Sequence, residues 1–447
     1  MKTAGNAITM AEVRLHPPRD NSPGQGEQGP ITVGWLSQFG DNLRMSFAKS
    51  YLEDAGRCTL SQLYRGQTEA DTRAILSAVS DERLVRIGRL PAFFGNLLPE
   101  GVNRERLAQQ RGCQEEDELE LLAAAGHDLS GAIEVVPAGD VPRSVLELHA
   151  TLGLEPLEAS AVAAPVEDGF SVDGFQTKFS MVHDGRRYTV RRGSAAGEFI
   201  AKLPSSRFPD LAANEATCYA LAQAVGIETS NAELRPIKEL DVPEHVKSTF
   251  DDFLLVRRFD RRRDAQGVTQ RVHFEELTQA LGHDSRQKYK DLARSMHALL
   301  VMLKFSDSPL RNQGLDDFFR RWTAFGLMGN TDAHAKNWGL IYPDGRNAVL
   351  APAYDLVCVA AYFDPQRPND LAQNRAMDRS LRGWSEDQAE QMAKAAGLLN
   401  FNRYRKIVRE TRAQAAAQWP ALLTPAPERV RETILARLGE MVQSRST

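Results

Sequence analysis

The chain has 447 residues, 42% hydrophobic and 26% charged, enough apolar material for the cores of two or three globular domains. Its 55 basic and 59 acidic residues leave a formal net charge of −4, so no global field draws it to nucleic acid or to an anionic membrane. Four cysteines, Cys58, Cys113, Cys218 and Cys358, stand far apart with no Cys-x-x-Cys pair, which argues against a zinc ribbon or disulfide framework and for reduced thiols in or near cores.

Residues 1–29, above all Pro17–Pro30, carry few large apolar side chains and are expected to form a flexible arm. Met1–Gly29 lacks the charged-then-apolar order of a signal peptide, and no run approaches the ~18 apolar residues of a membrane span. A soluble, cytoplasmic protein without membrane association is the expectation. Strands are predicted at Ile31–Leu36 and Leu43–Phe47 around a Gly40-Asp41-Asn42 turn, helices at Glu100–Arg111 and Gln114–Ala125, and a strand at Ala132–Val136. These make a small α+β unit over 30–140. Residues 141–167 read as a connection, with a short helix around Ser144–Leu152. Strand-like Thr177–Val182, Arg187–Arg191 and Glu198–Leu203, a helix at Ala212–Val225, and strands at Ala232–Pro236 and Asp252–Arg257 suggest a strand-rich lobe over 168–263. From 264 to 447 helical spacing dominates, at Phe274–Leu281, Tyr289–Ser306, Gln313–Gly329, Glu386–Ala396 and through Arg403–Val442. Only a hairpin interrupts it, Trp338–Tyr342 and Ala348–Ala351 flanking Pro343-Asp344-Gly345. The expected fold class is α+β: a small N-terminal α/β subdomain, then a bilobal, protein-kinase-like fold whose C-terminal lobe is mainly helical.

The segment Gly329-Asn330-Thr331-Asp332-Ala333-His334-Ala335-Lys336-Asn337-Trp338 sets Asp-x-x-x-x-Asn between a predicted helix and that hairpin. In phosphoryl transfer this spacing puts a carboxylate beside the attacking hydroxyl and an amide on the metal. Past the hairpin, Asp355 in Ala351-Pro352-Ala353-Tyr354-Asp355-Leu356 offers a second metal-binding carboxylate. An isolated Asp-x4-Asn occurs in many proteins, whereas loop, hairpin and later aspartate in that order do not. Lys202 ends the predicted strand Phe199-Ile200-Ala201-Lys202, where a lysine can neutralise nucleotide oxygens. Glu215 opens the next helix and could hold Lys202; complementing the helix dipole is an equal alternative. His334 reads as a structural residue of the loop, and with no His or Cys at ligand spacing nearby, zinc is not expected. Ser171-Val172-Asp173-Gly174-Phe175-Gln176-Thr177-Lys178 has a single glycine and is no P-loop.

Taken together these segments resemble the HipA family of bacterial serine/threonine kinase toxins. Ser171–Lys178 is similar to S-x-x-G-x-Q-x-K, Ala201–Pro204 with Asn214-Glu215 to K-x-P followed by N-E, Gly329–Asn337 to G-N-x-D-x-H-x-K-N, and Ala351–Leu356 to A-P-x-Y-D-L. Pro91–Gly101 and Gly126–Ala132 are similar to the family's P-x-F-x-N-L-L-P-E-G and G-x-D-x-x-G-A. The resemblance implies ATP and Mg²⁺ as cofactors, Asp332 as catalytic base, and Asn337 and Asp355 as Mg²⁺ ligands. It implies Lys202, Gly174, Gln176, Lys178, Val256, Arg258, His334, Lys336 and Tyr354 around the nucleotide. Ser171 would be an autophosphorylation site, a phosphate there repelling those of the nucleotide. The implied partners are a HipB-like helix-turn-helix antitoxin, operator DNA indirectly through it, and a protein substrate, an aminoacyl-tRNA synthetase such as glutamyl-tRNA synthetase.

The chain departs from the family pattern at Arg257, where relatives carry an acidic residue, at Phe175 and Thr177, and at Trp338-Gly339. The basic run Arg257–Arg263 is expected to be a solvated turn with arginines paired to Asp260 and Asp264. Two other readings compete: a small-molecule phosphotransferase of the aminoglycoside type, and a catalytically silent corepressor acting with the antitoxin. The N-terminal α+β unit speaks against the first and the intact Asp332, Asn337 and Asp355 against the second.

Overall fold

The computed structural model describes residues 7–18, 29–139, 143, 145–146, 158–165, 178–191, 193, 196–205, 207–242, 251–264, 267–362 and 384–443. These fall into two compact units interleaved along the chain. The first is 1–200 with 260–287 and 341–346; the second is 201–259 with 288–340 and 347–447. Most of the helix predicted over Ser144–Leu152 lies outside the described residues.

The first unit is organised on a sheet of β1 (Ala7–Leu15), β2 (Ile31–Phe39), β3 (Asn42–Phe47), β4 (Val85–Ile87), β5 (Ile133–Pro137) and β6 (Glu158–Ala161). The order is β4-β3-β2-β1-β5, with β6 parallel to β1 over Ala7–Met10. Its interior strand β1 corrects the expectation of a flexible arm for Ala7–Leu15; residues 19–28 of that arm lie outside the described residues. Ile8, Met10, Val13 and Leu15 are buried, and β1 pairs antiparallel with both β2 and β5. The apolar alternation of Ala7–Leu15 is enough for a strand once neighbours cover both edges; the Pro- and Gly-rich stretch beside it hid that signal. A register shift between Val13 and Arg14 turns Glu12 toward Arg14 and the Thr32 hydroxyl, which donate to it at 2.6 Å each. Helices Val102–Arg111 and Glu118–Ala124 add Leu107, Leu119, Leu121 and Leu122 to the sheet's core.

Beside its apolar core this unit holds a buried ionic network. Asp128, fully buried, accepts from Arg261 Nη2 at 3.1 Å and from the Ser180 hydroxyl, with Arg191 Nε at 3.4 Å. Asp260 accepts from the Gly131 N–H at 2.8 Å and from Arg261 at 3.0 Å. The glycines of the Gly126–Ala132 segment have steric causes. A Cβ at Gly126 would meet the Val135 carbonyl oxygen at 1.7 Å, and Gly131 has φ +75°. The predicted solvated turn is therefore only half right: Arg261 does pair with Asp260, but it is buried in this network, and Arg258 is buried too.

In the second unit, Ala232–Pro236 and Asp252–Arg257 form an antiparallel pair beside the Leu211–Ala224 helix. Helices Leu292–Lys304, Arg311–Met328, Glu386–Ala395, Phe401–Leu422 and Glu428–Gln443 make the rest. Arg311–Met328 is the axis. Phe318, Trp322 and Phe325 pack on Trp338, and Phe319 stacks on Tyr404 with ring centroids 4.3 Å apart. Gly329 ends this helix at φ +70°. The helical spacing expected over much of Arg403–Val442 belongs to two helices, with Pro425 and Pro427 in the intervening turn. In the first unit Phe274–Leu281 is also not one helix: His273–Glu276 is a strand, and a capping box between Glu276 and Gln279 starts a helix at Leu277. The hairpin stands where expected, with the Ala351 N–H donating to the Gly339 carbonyl at 3.0 Å. Among the described residues no helix is long and apolar enough to cross a membrane.

Candidate active site

The second unit gathers Lys202, Glu215, Asp332, Asn337 and Asp355. Lys202 ends the strand Phe199–Lys202 and is buried. Its Nζ donates to Glu215 Oε2 at 2.6 Å and to Asp355 Oδ1. Burial alone would push the Lys202 ammonium down, but the Asp355 and Glu215 carboxylates outweigh it and hold the pKa above the ordinary lysine range. Lys202 is a fixed cation.

Asp355 adopts φ +53°, a left-handed backbone that costs on the order of 1 kcal/mol for a non-glycine residue. The surroundings impose it. The Asp355 N–H donates to the Tyr219 hydroxyl at 3.1 Å. Asn214 holds both backbone groups of Cys358, donating to its carbonyl at 3.1 Å and accepting from its N–H at 2.8 Å. Just before Asp355, the Ala353 N–H donates to the Glu228 carbonyl at 2.8 Å and the Ala353 carbonyl accepts from Ser230 at 3.3 Å. Asn214, Glu215 and Tyr219 all sit on the Leu211–Ala224 helix. Glu215 thus grips Lys202 rather than only complementing the helix dipole.

Asp332 and Asn337 lie in the loop after Gly329. Asn337 Nδ2 donates to the Asp332 carbonyl at 2.8 Å, so the amide oxygen is the end turned to other partners. The Asp332 carboxylate receives the Tyr289 hydroxyl at Oδ1 and keeps 38% of its side-chain surface exposed. His334 is buried, its Nε2 3.9 Å from the same oxygen. Burial, and after it the Lys288 and Lys336 charges, hold His334 well below the ordinary imidazole range, so it is neutral and forms no ion pair. Lys336 is buried, and its carbonyl accepts from the Tyr354 hydroxyl at 2.7 Å.

Val256 is buried in its strand opposite Ala232; the Arg257 N–H donates to the Asn231 carbonyl at 2.8 Å while the Arg257 side chain stays exposed. The Tyr354 ring tilts over Phe259 with centroids 5.6 Å apart. Lys178 is a buried residue of the first unit. Ser171, Gly174 and Gln176 lie outside the described residues. Sequence reasoning missed Tyr219 and Tyr289, and read Asn214 only as the neighbour of Glu215. Tyr219 could have been found as the residue four positions after Glu215 on the same helix face; nothing near Tyr289 in the sequence points to Asp332.

Asn337 and Asp355 offer hard oxygen donors, an amide and a carboxylate. That set suits Mg²⁺, which keeps several waters and takes few protein ligands beside nucleotide phosphates. Among the described residues no group of three or more His, Cys, Asp or Glu could hold a metal by itself.

The family model described as "HipA N-terminal domain" matches residues 29–136, and that described as "HipA-like C-terminal domain" matches 170–419. Y4dM of Sinorhizobium fredii, a protein with a provisional kinase name, is 29% identical over 424 residues, 93% of this chain and 92% of its own. The serine/threonine-protein kinase toxin HipA of Shewanella oneidensis is 28% identical over 305 residues, 62% of this chain and 64% of its own. A solved structure of the Shewanella oneidensis HipA, HipB and operator DNA complex superposes with a TM-score of 0.65 at 21% identity, covering 96% of this chain and 97% of that one, so the α+β, kinase-like fold is shared. With family models matched over most of its length, the chain belongs to the HipA family.

Proposed function

We propose that the protein is an ATP- and Mg²⁺-dependent kinase that transfers the γ-phosphoryl group to a serine or threonine hydroxyl of another protein. The observation that carries this reading is the buried Lys202 ammonium, shared between helix-borne Glu215 and loop-borne Asp355. A lysine so placed is oriented and permanently charged, and can take nucleotide oxygens that arrive beside Asp355. Asp332, exposed at the loop, is the base that accepts the acceptor-hydroxyl proton. Asn337 and Asp355 would hold the metal, which when bound neutralises charge building on the phosphoryl oxygens. The second carboxylate of the acid–lysine–acid set, Glu215, keeps Lys202 in place whether or not Asp355 turns to another cation.

The same reading makes the protein a cytoplasmic toxin paired with a helix-turn-helix antitoxin that reaches operator DNA, with Ser171 as a self-modified switch and an aminoacyl-tRNA synthetase as substrate. Family membership supports it, as does the solution of the Shewanella relative with HipB and operator DNA.

The test is incubation of wild type and Asp332→Gln with ATP and Mg²⁺, followed by intact mass and peptide mapping. Phosphate at or near Ser171 in wild type, and at least ~100-fold slower incorporation in the variant, is the expected result. No phosphate and no ATP binding by calorimetry in either protein would overturn the kinase reading and favour the silent corepressor.

A further inference from the structure

The turn 288–291 lies against the catalytic loop and is fastened to it at several points. The Lys288 carbonyl accepts from the Ala335 N–H at 3.0 Å. The Tyr289 ring meets the His334 ring edge-on, with centroids 4.9 Å apart and an interplanar angle of 84°. The Tyr289 hydroxyl donates to Asp332 Oδ1. Where the turn enters the Leu292–Lys304 helix, Asp291 is held at φ +45° and ψ +50°, a left-handed conformation for a residue with a side chain.

A catalytic base in a protein kinase receives an aliphatic hydroxyl from its substrate, through a hydrogen bond donated to the carboxylate. Tyr289 donates such a bond already. Its phenol therefore stands in for the acceptor, and the two hydroxyls compete for one carboxylate. The ring is only half-buried, and Asp332 retains open surface, so an incoming chain can reach the oxygen and take the phenol's place. Opening would release one strained residue and break one backbone hydrogen bond, a small motion at the start of a helix rather than a domain rearrangement.

We propose that Tyr289 is a positioning residue that occupies the acceptor subsite of Asp332 and sets the enzyme's demand for its protein substrate, because acceptor binds only by displacing the phenol. This rests on the kinase reading above. Tyr289 screens the carboxylate without supporting it during the transfer itself, so it acts on acceptor KM and not on nucleotide affinity.

Tyr289→Phe removes the hydroxyl while keeping the ring against His334, which limits the risk to folding. With myelin basic protein as a generic acceptor, the variant should show acceptor KM lowered about three- to tenfold, kcat within twofold of wild type, and ATP affinity by calorimetry unchanged. Slow ADP release with water as acceptor should rise by a similar factor. Tyr289→Trp fills the subsite with a larger ring whose indole N–H can still donate, and should raise acceptor KM. An unchanged KM in Tyr289→Phe, or a fall in kcat at constant KM, would overturn the proposal and make Tyr289 a support of the base. Wild type that binds no ATP and transfers no phosphate would instead bring down the kinase reading, and this proposal with it.

Discussion

Asn214 spends both ends of its amide on the backbone of one residue, Cys358, and both groups lie out of reach of water. Replacement by alanine would leave a buried N–H and a buried carbonyl unmet, each worth about 1–3 kcal/mol. Asn214→Ala should therefore lower unfolding stability by roughly 2–4 kcal/mol in a urea titration and loosen the strained backbone of Asp355. A midpoint unchanged from wild type would show that water replaces the amide. Glu275 poses a different residue-scale question. It is fully buried in the first unit, where Ser61, the Gln62 N–H at 2.9 Å and Tyr342 all donate to it. Burial pushes its carboxyl up to about 7 despite those donors. The folded protein therefore holds a proton that the unfolded chain releases near pH 4.5. Stability from this group is complete below that pH, declines as pH rises to about 7, and is flat above it. Glu275→Gln should abolish the decline, so that the difference between variant and wild type grows from pH 5 to pH 8 in thermal melts.

At the scale of elements, β1 carries the plainest prediction. It is an interior strand of its sheet, flanked by β2 and by β5 and β6, yet it precedes the stretch matched by the family's N-terminal domain. A chain begun at residue 29 would bare the edges of β2 and β5 together and the apolar face that Ile8, Met10, Val13 and Leu15 fill. Open paired edges template association, and that shortened chain should elute as aggregate in size-exclusion chromatography where the full chain does not. β1 also marks where the sequence becomes hard to read. Elements with their own punctuation were legible: Asp252–Arg257 agrees with its predicted ends, and the Arg311–Met328 helix stops at a glycine that announces it. A nine-residue strand next to proline and glycine is recognisable only from its partners, β2 across that stretch and β5 more than a hundred residues away. The loop motif of the candidate site was legible because Asp332 and Asn337 are close in sequence. The Tyr289 and Tyr219 contacts were not, because each depends on how one helix terminus or helix face is turned toward a distant loop.

The whole molecule does not separate where the family's two halves do. The chain passes between its compact units at 200/201, 259/260, 287/288, 340/341 and 346/347. The first unit borrows Arg261, Arg271 and Glu275 from 260–287, and Tyr342 from 341–346. A fragment ending near residue 165 would take from Asp128 and Glu134 their partners Arg261 and Arg271, at 3.1 and 2.9 Å. A buried carboxylate stripped of its cation costs about 3–5 kcal/mol. Arg261→Ala in the full chain tests the same dependence and should lower the urea midpoint of the unit's transition by that order; an unchanged midpoint would show that Arg191 alone suffices for Asp128.

The Leu211–Ala224 helix, finally, turns one face to the site, and that face is legible as a period: Asn214, Glu215, Cys218 and Tyr219 are buried, while Ala213, Ala216, Thr217 and Ala220 between them are not. Three of those four residues make contacts at Lys202, Asp355 or Cys358. Consecutive residues differ by about 100° around a helix axis, so these grips form only at one rotation of the helix about its length. The helix works like a cut key. Its angular setting decides how Asp355 is presented, which makes the third of its circumference that faces the site intolerant of even conservative change, while Ala212, Leu221 and Ala222 are buried elsewhere around it.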